Sequence, residues 1–213
     1  MRRIHKGNEP KSLAAHRKAD GTYATYAQRD DVRAALLREQ GAICCYCMQR
    51  IAMRSMRLEH WHSQTDHPTR TLDYDNLLGA CTGGENTLPP ERQHCDVHRK
   101  NEALHVHPAK SPPSCERIVQ YLGDGTITSD DESVQRDLHT TLNLNTKHIK
   151  DGRKGALDRL LSALRKEQKD GHWGPALLEQ HAALWRRLDD HGEYREYCQI
   201  VLHYIDKKLK KKA

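Results

Sequence analysis

A chain of 213 residues with 36% hydrophobic and 30% charged residues and no Phe is long enough for one large domain or two small ones, with a core resting on Leu, Ile, Val, Tyr and Trp. No apolar run approaches the ~18 residues of a membrane span, and the basic start Met1-Arg2-Arg3-Ile4-His5-Lys6 lacks the apolar segment of a signal peptide, so the expectation is a soluble, cytoplasmic protein. A net charge of +6 favours a polyanionic partner, and seven Cys in a reducing compartment read as thiols or metal ligands rather than disulfides.

In chain order, residues 1–28 are polar and show no clear period; the first 26 read as an N-terminal arm, extended over the domain or partly disordered. A helix is expected from Asp30 or Asp31, either able to cap it, to Gln40, with Val32, Leu36 and Leu37 apolar and Gly41 as the stop. From Ile51 to His62 residues alternate like a strand, with Met56, Leu58 and His60 on one side and Arg57, Glu59 and Trp61 on the other. Leu77 to Ala80 reads as a short buried strand or the lead into Cys81, residues 82–93 as a Gly- and Pro-rich insertion, and a short helix opens near Cys95. Leu104 to Pro113 is a connector, and Gly123-Asp124-Gly125 marks a hairpin turn. After Asp130 the pattern is helical, with stripes at Leu157, Leu160, Leu161 and Leu164, at Leu177, Leu178, His181, Leu184, Trp185 and Leu188, and at Tyr197, Val201, Tyr204 and Ile205. The tail Lys207-Lys208-Leu209-Lys210-Lys211-Lys212 is either a solvated helix end or a phosphate-contacting segment.

The chemistry concentrates between Cys44 and Lys100. Cys44 and Cys47 have the spacing of a zinc knuckle, and Cys81 and Cys95 form a second, widely spaced pair if residues 82–94 bulge out. Cys45 points away or packs as a small hydrophobe, and Cys115 and Cys198 read as ordinary buried thiols. Between the two pairs stands Glu59-His60. A neutral imidazole takes a proton from water near working pH, and the adjacent carboxylate can hold Mg²⁺ or Mn²⁺ against a phosphate. Asn76 can bridge backbone segments and hold the loop bearing the His, and Asp96, beside Cys95, can complete the cation site. His62, His67, His94 and His98 are rival imidazoles, of which His94 could replace a thiolate on zinc and His98 could reach the cation; Arg99 and Lys100 are candidates for phosphate contact.

This arrangement resembles the HNH (ββα-metal) endonucleases: a Cys-x-x-Cys knuckle, an acidic-His pair, an Asn before a Cys, then a Cys followed by acidic and basic residues. More narrowly, Ile43-Cys44-Cys45-Tyr46-Cys47, Glu59-His60-Trp61, Asp73 to Gly83, His94-Cys95-Asp96 and Thr141-Leu142-Asn143-Leu144-Asn145 are similar to the HNH nuclease subunit (PtuB) of Septu and retron-associated anti-phage defence systems. The likeness spans most of the chain, and Glu59 departs from the Asp more usual before the His. It implies an α+β fold with a zinc-stabilised ββα-metal core over 27–115 and a hairpin plus helical C-terminal part over 116–213. It also implies His60 as the base, Glu59 and Asp96 on a catalytic Mg²⁺ or Mn²⁺, structural zinc on Cys44, Cys47, Cys81 and Cys95, a nucleic-acid substrate (DNA in preference to RNA) and an ABC-type ATPase partner. The main alternative is a zinc-stabilised nucleic-acid-binding or adaptor module without catalysis. A cysteine hydrolase using one unmetallated thiol is the other.

Overall fold

The structure is a computed structural model describing residues 1–110, 112–168 and 171–210. Its elements, in chain order, are α1 (Lys11–Lys18), α2 (Arg29–Gln40), β1 (Met56–His60), β2 (Leu77–Cys81), α3 (Cys95–Arg99), α4 (Cys115–Ile118), β3 (Gln120–Tyr121), β4 (Ile127–Thr128), α5 (Glu132–Arg136), α6 (Lys147–Glu167), α7 (Pro175–Arg186) and α8 (Cys198–Lys210). The expected α+β class holds, with small antiparallel sheets, a four-cysteine cluster and a helical C-terminal part.

The N-terminal arm is more deeply integrated than its composition foretells. It contains α1, and Met1, Ile4, Leu13 and Tyr26 are all buried in the common core, with the Ile4 N–H bonded to the Pro108 carbonyl at 2.9 Å. Helix α2 starts one residue before the expected cap: Gln28 stands at its N-cap without a side-chain bond. Asp30 and Asp31 lie inside the first turn, where their charge complements the exposed N–H groups. Gly41 does end the helix, adopting the left-handed φ of 55° that a side chain would resist.

β1 and β2 form an antiparallel ribbon in which Met56 opposes Cys81 and His60 opposes Leu77. The buried Gln40 side chain locks α2 to this ribbon. Its Nε2 donates to the carbonyls of Ile43 (2.9 Å) and Gly79 (2.8 Å), while its Oε1 accepts from the Gly79 N–H at 2.7 Å. The ribbon and α3 then supply the strand-strand-helix frame of the site. Asp137 to Thr141 is a π-turn continuing α5, and α6, α7 and α8 pack on one another.

The three apolar stripes become core through Leu157, Leu160 and Leu164, through Leu178 and Trp185, and through Val201 and Ile205. Leu188, expected on the second stripe, lies beyond the end of α7 and is exposed. His181 is packed and shares a 2.9 Å contact with Glu167. Lys207, Lys208 and Lys210 are solvent-facing on α8; Lys211 and Lys212 lie outside the described residues. Among the described residues no helix is long and apolar enough to cross a membrane.

Candidate metal centre and polar cavity

All seven Cys are free and buried, but only four come together. Cys44 and Cys47 sit in the turn after α2, Cys81 ends β2 and Cys95 begins α3, and their sulfurs all lie within 4.8 Å of one another. The Cys44–Cys95 separation is 3.9 Å and Cys47–Cys81 is 3.7 Å. A tetrahedral Zn²⁺ with bonds of ~2.3 Å holds its sulfurs about 3.8 Å apart, so the set has the dimensions of a zinc tetrathiolate and is far too open for a disulfide. Burial disfavours a thiolate at Cys44, yet hydrogen bonds from Cys45, Cys47, Cys81 and Cys95 outweigh it and hold that thiol well below its ordinary range. Cys45 is buried outside the set, as expected. His94 stands beside the sulfurs rather than among them. Its Nε2 lies 3.7 Å from the Cys81 sulfur and 3.1 Å from Gln49 Oε1, and burial pushes it down to about 4.

Across the ribbon from the thiols, Glu59, His60 and Asp96 line one polar cavity of about 310 Å³ together with Arg57, Ser63 and Lys100. His60 is buried against the edge of the Tyr23 ring, with centroids 4.5 Å apart, and its Nε2 lies 3.0 Å from the Thr71 carbonyl. A carbonyl only accepts, so Nε2 carries the proton and Nδ1 keeps a basic lone pair. Burial lowers the His60 pKa, keeping the ring neutral at working pH.

Glu59 is almost fully enclosed. Its Oε1 accepts from the Tyr46 hydroxyl at 2.6 Å and pairs with the Arg99 guanidinium. Burial and the facing Asp96 carboxyl push Glu59 up, against the pull of Arg99 and Tyr46. Asp96 is itself held through Oδ2 by Arg57 Nε at 2.6 Å. Each ion pair thus uses one oxygen of its carboxylate, and the two acids face one another. Carboxylates so placed need a shared proton or a cation between them.

Asn76 does not touch the cavity. It is buried, accepts from the His62 N–H and donates to the carbonyls of His62 and Arg70. His98 is turned towards the Thr141 carbonyl at 3.1 Å, and the His62 and His67 rings meet at a tilt of 60° with centroids 4.6 Å apart. Arg99 is no surface phosphate contact: it is 1% exposed, and besides Glu59 its guanidinium bonds the Tyr46 hydroxyl and the carbonyls of His60, Trp61 and Glu102. Lys100 is the basic residue of this pair that is exposed at the cavity. Tyr46, Tyr23 and Arg57 escaped the sequence reading. Tyr46 lies inside the knuckle and Arg57 shares a strand side with Glu59, which are local signals; Tyr23 is brought in from distant chain.

No family model matches the chain. A protein of Vibrio cholerae serotype O1 biovar El Tor, "Retron Vc95 putative HNH endonuclease", is 26% identical over 150 residues, covering 66% of this chain and 70% of that one. The chain is a distant homologue of that protein. The four-sulfur set and the strand-strand-helix frame stand beside this relation as independent structural observations.

Proposed function

We propose that this protein is a metal-dependent HNH-type endonuclease that hydrolyses phosphodiester bonds in nucleic acid. The observation that carries the reading is the convergence of Glu59, His60 and Asp96 on one polar cavity, with Asp96 following a sulfur of the thiol set directly in sequence. His60 takes the proton from the attacking water at Nδ1, its ring fixed by the Thr71 carbonyl and Tyr23. Glu59 and Asp96 would hold the divalent cation, and their mutual repulsion makes the pair a fitting oxygen donor set. A bound Mg²⁺ or Mn²⁺ supplies charge neutralisation at the scissile phosphate and the leaving oxygen. Tyr46, Arg99 and Arg57 fix the two carboxylates, Asn76 fixes the loop after β1, and Lys100 meets backbone phosphate. The resemblance to defence-system nucleases, together with the retron name of the relative, supports a role as nuclease effector of an anti-phage complex with an ABC-type ATPase, acting on DNA in preference to RNA.

The deciding experiment incubates purified protein with circular DNA or RNA in Mn²⁺ or Mg²⁺, alongside His60→Ala. Cation-dependent cleavage in the first and a loss of ~10²–10⁴ in the second, with zinc content equal, is the expected result. Undiminished cleavage by His60→Ala, or binding without any cleavage under every cation, leaves the adaptor reading instead.

A further inference from the structure

The C-terminal part holds a charge that its own surroundings do not balance. Arg153, on α6, is 0% exposed, and among the described residues no carboxylate pairs with it. Its Nε donates to the Gly125 carbonyl at 2.6 Å, and its Nη2 donates to the Leu144 carbonyl (2.6 Å) and Asn145 Oδ1 (3.0 Å). All three acceptors are neutral, and Nη1 has no hydrogen-bond partner. A buried guanidinium left this way is destabilising unless an anion lies close. Of the groups whose negative charge would act on it, Cys47 comes first, then Tyr197, Cys95 and Asp124. Asp124 is exposed and already paired with Lys150 at 2.7 Å, and Tyr197 is a phenol whose ionisation burial suppresses. That leaves the thiols.

Four thiolates around one Zn²⁺ carry a net charge of −2, which a nearby buried cation would offset. The backbone brings the two charges together. Tyr197, just before α8, donates its N–H to the Met48 carbonyl at 3.2 Å, and its hydroxyl meets Gln49. Gln49 Oε1 in turn lies 3.5 Å from the Cys47 sulfur. A Cβ on Gly152 would come within 2.6 Å of the Tyr197 ring, so α6 packs closely on this segment. Leu144, whose carbonyl accepts from Arg153, lies two residues after Leu142, whose carbonyl accepts from the Cys95 N–H at 2.9 Å.

We infer that Arg153 is the counter-cation of the metal-loaded four-thiolate centre, a positioning residue that makes α6 part of the zinc site. The inference rests on the zinc reading of Cys44, Cys47, Cys81 and Cys95.

The test is the zinc affinity of the full chain, measured by competition with a chromophoric chelator at fixed pH. Arg153→Met, which keeps bulk and removes charge, is expected to weaken zinc binding by about 10–100-fold, with Arg153→Lys restoring most of it. If Arg153→Met does not yield folded protein, Arg153→Gln, which keeps hydrogen bonding without charge, is read in the same way. Unchanged affinity in the neutral variants overturns the inference, as does an equal loss in Arg153→Lys, which would tie the effect to shape. Wild-type protein that binds no zinc would instead overturn the underlying zinc reading.

Discussion

The side chain of Asn76 brackets the backbone of His62, accepting from its N–H at 2.7 Å and donating to its carbonyl at 3.1 Å. A single buried amide thereby pins the chain two residues beyond His60, and its second N–H bond, to Arg70, ties in the loop that carries the Thr71 carbonyl. Asn76→Ala strands buried backbone groups, a cost of about 1–3 kcal/mol. Turnover should fall with little change in nucleic-acid affinity, since Asn76 touches no ligand. Steady-state kinetics and urea unfolding test this together; unchanged turnover alongside lowered stability would remove Asn76 from the proposed machinery.

Zinc analysis of the purified chain should return one ion per molecule. Cys81→Ser should lose it and unfold the region around β2 and α3, because the sulfurs tie together three separate segments, the turn after α2, the end of β2 and the start of α3. Circular dichroism with and without a chelator reads the effect. Full zinc retention by Cys81→Ser would break the four-sulfur assignment.

Protons and the divalent cation compete for the Glu59–Asp96 pair. Burial and Asp96 raise the Glu59 pKa, so as pH falls the pair takes up a proton sooner than an ordinary Glu would. Half-activation should therefore need more Mn²⁺ at lower pH, and saturating Mn²⁺ should move the acid limb of the rate profile downward. Burial places the His60 pKa below its usual value, so the base itself stays ready over that range. An acid limb indifferent to Mn²⁺ concentration would assign it to His60 alone and count against Glu59 as a ligand.

Arg99→Ala leaves a nearly unexposed Glu59 without its cation and should cost about 3–5 kcal/mol in urea unfolding of zinc-loaded protein. Arg99→Lys should recover only part, since one ammonium cannot serve Glu59 and three carbonyls at once. The salt dependence of nucleic-acid binding should stay the same in folded Arg99→Lys protein. A loss under about 1 kcal/mol in Arg99→Ala would show the pair to be dispensable.

Some of this was legible in the sequence because the residues concerned have few alternatives. Thiols at Cys44, Cys47, Cys81 and Cys95 announce themselves by chemistry, and the apolar stripes of α6 to α8 by period. Arg99 shows the opposite case. A basic residue following Asp96 reads as surface charge, and only the fold reveals that Glu59, distant in sequence, draws it inside. Helix α1 was invisible for a related reason: its one fully buried apolar residue, Leu13, is anchored by contacts its own segment does not encode. Asp30 and Asp31 misplaced the cap by two or three residues, since charge favours the first turn nearly as well as the cap.

The stretch between Cys81 and Cys95 leaves and rejoins the same cluster of sulfurs, its base closed by the bond from the His94 N–H to the Gly83 carbonyl at 3.0 Å. Its crest, from Glu85 to Pro90, is largely exposed, and Glu85 reaches the wall of the polar cavity. Because the metal would fix both ends whatever lies between, lengthening this crest costs little more than the entropy of a longer loop, ~0.6 kcal/mol per doubling. Inside α3 the tolerance is nil: one inserted residue between Cys95 and Asp96 would swing the carboxylate about 100° around the helix axis. The molecule is therefore divided into a part that can be spliced and a part that cannot, and a grafted segment intended to redirect its target belongs at the crest.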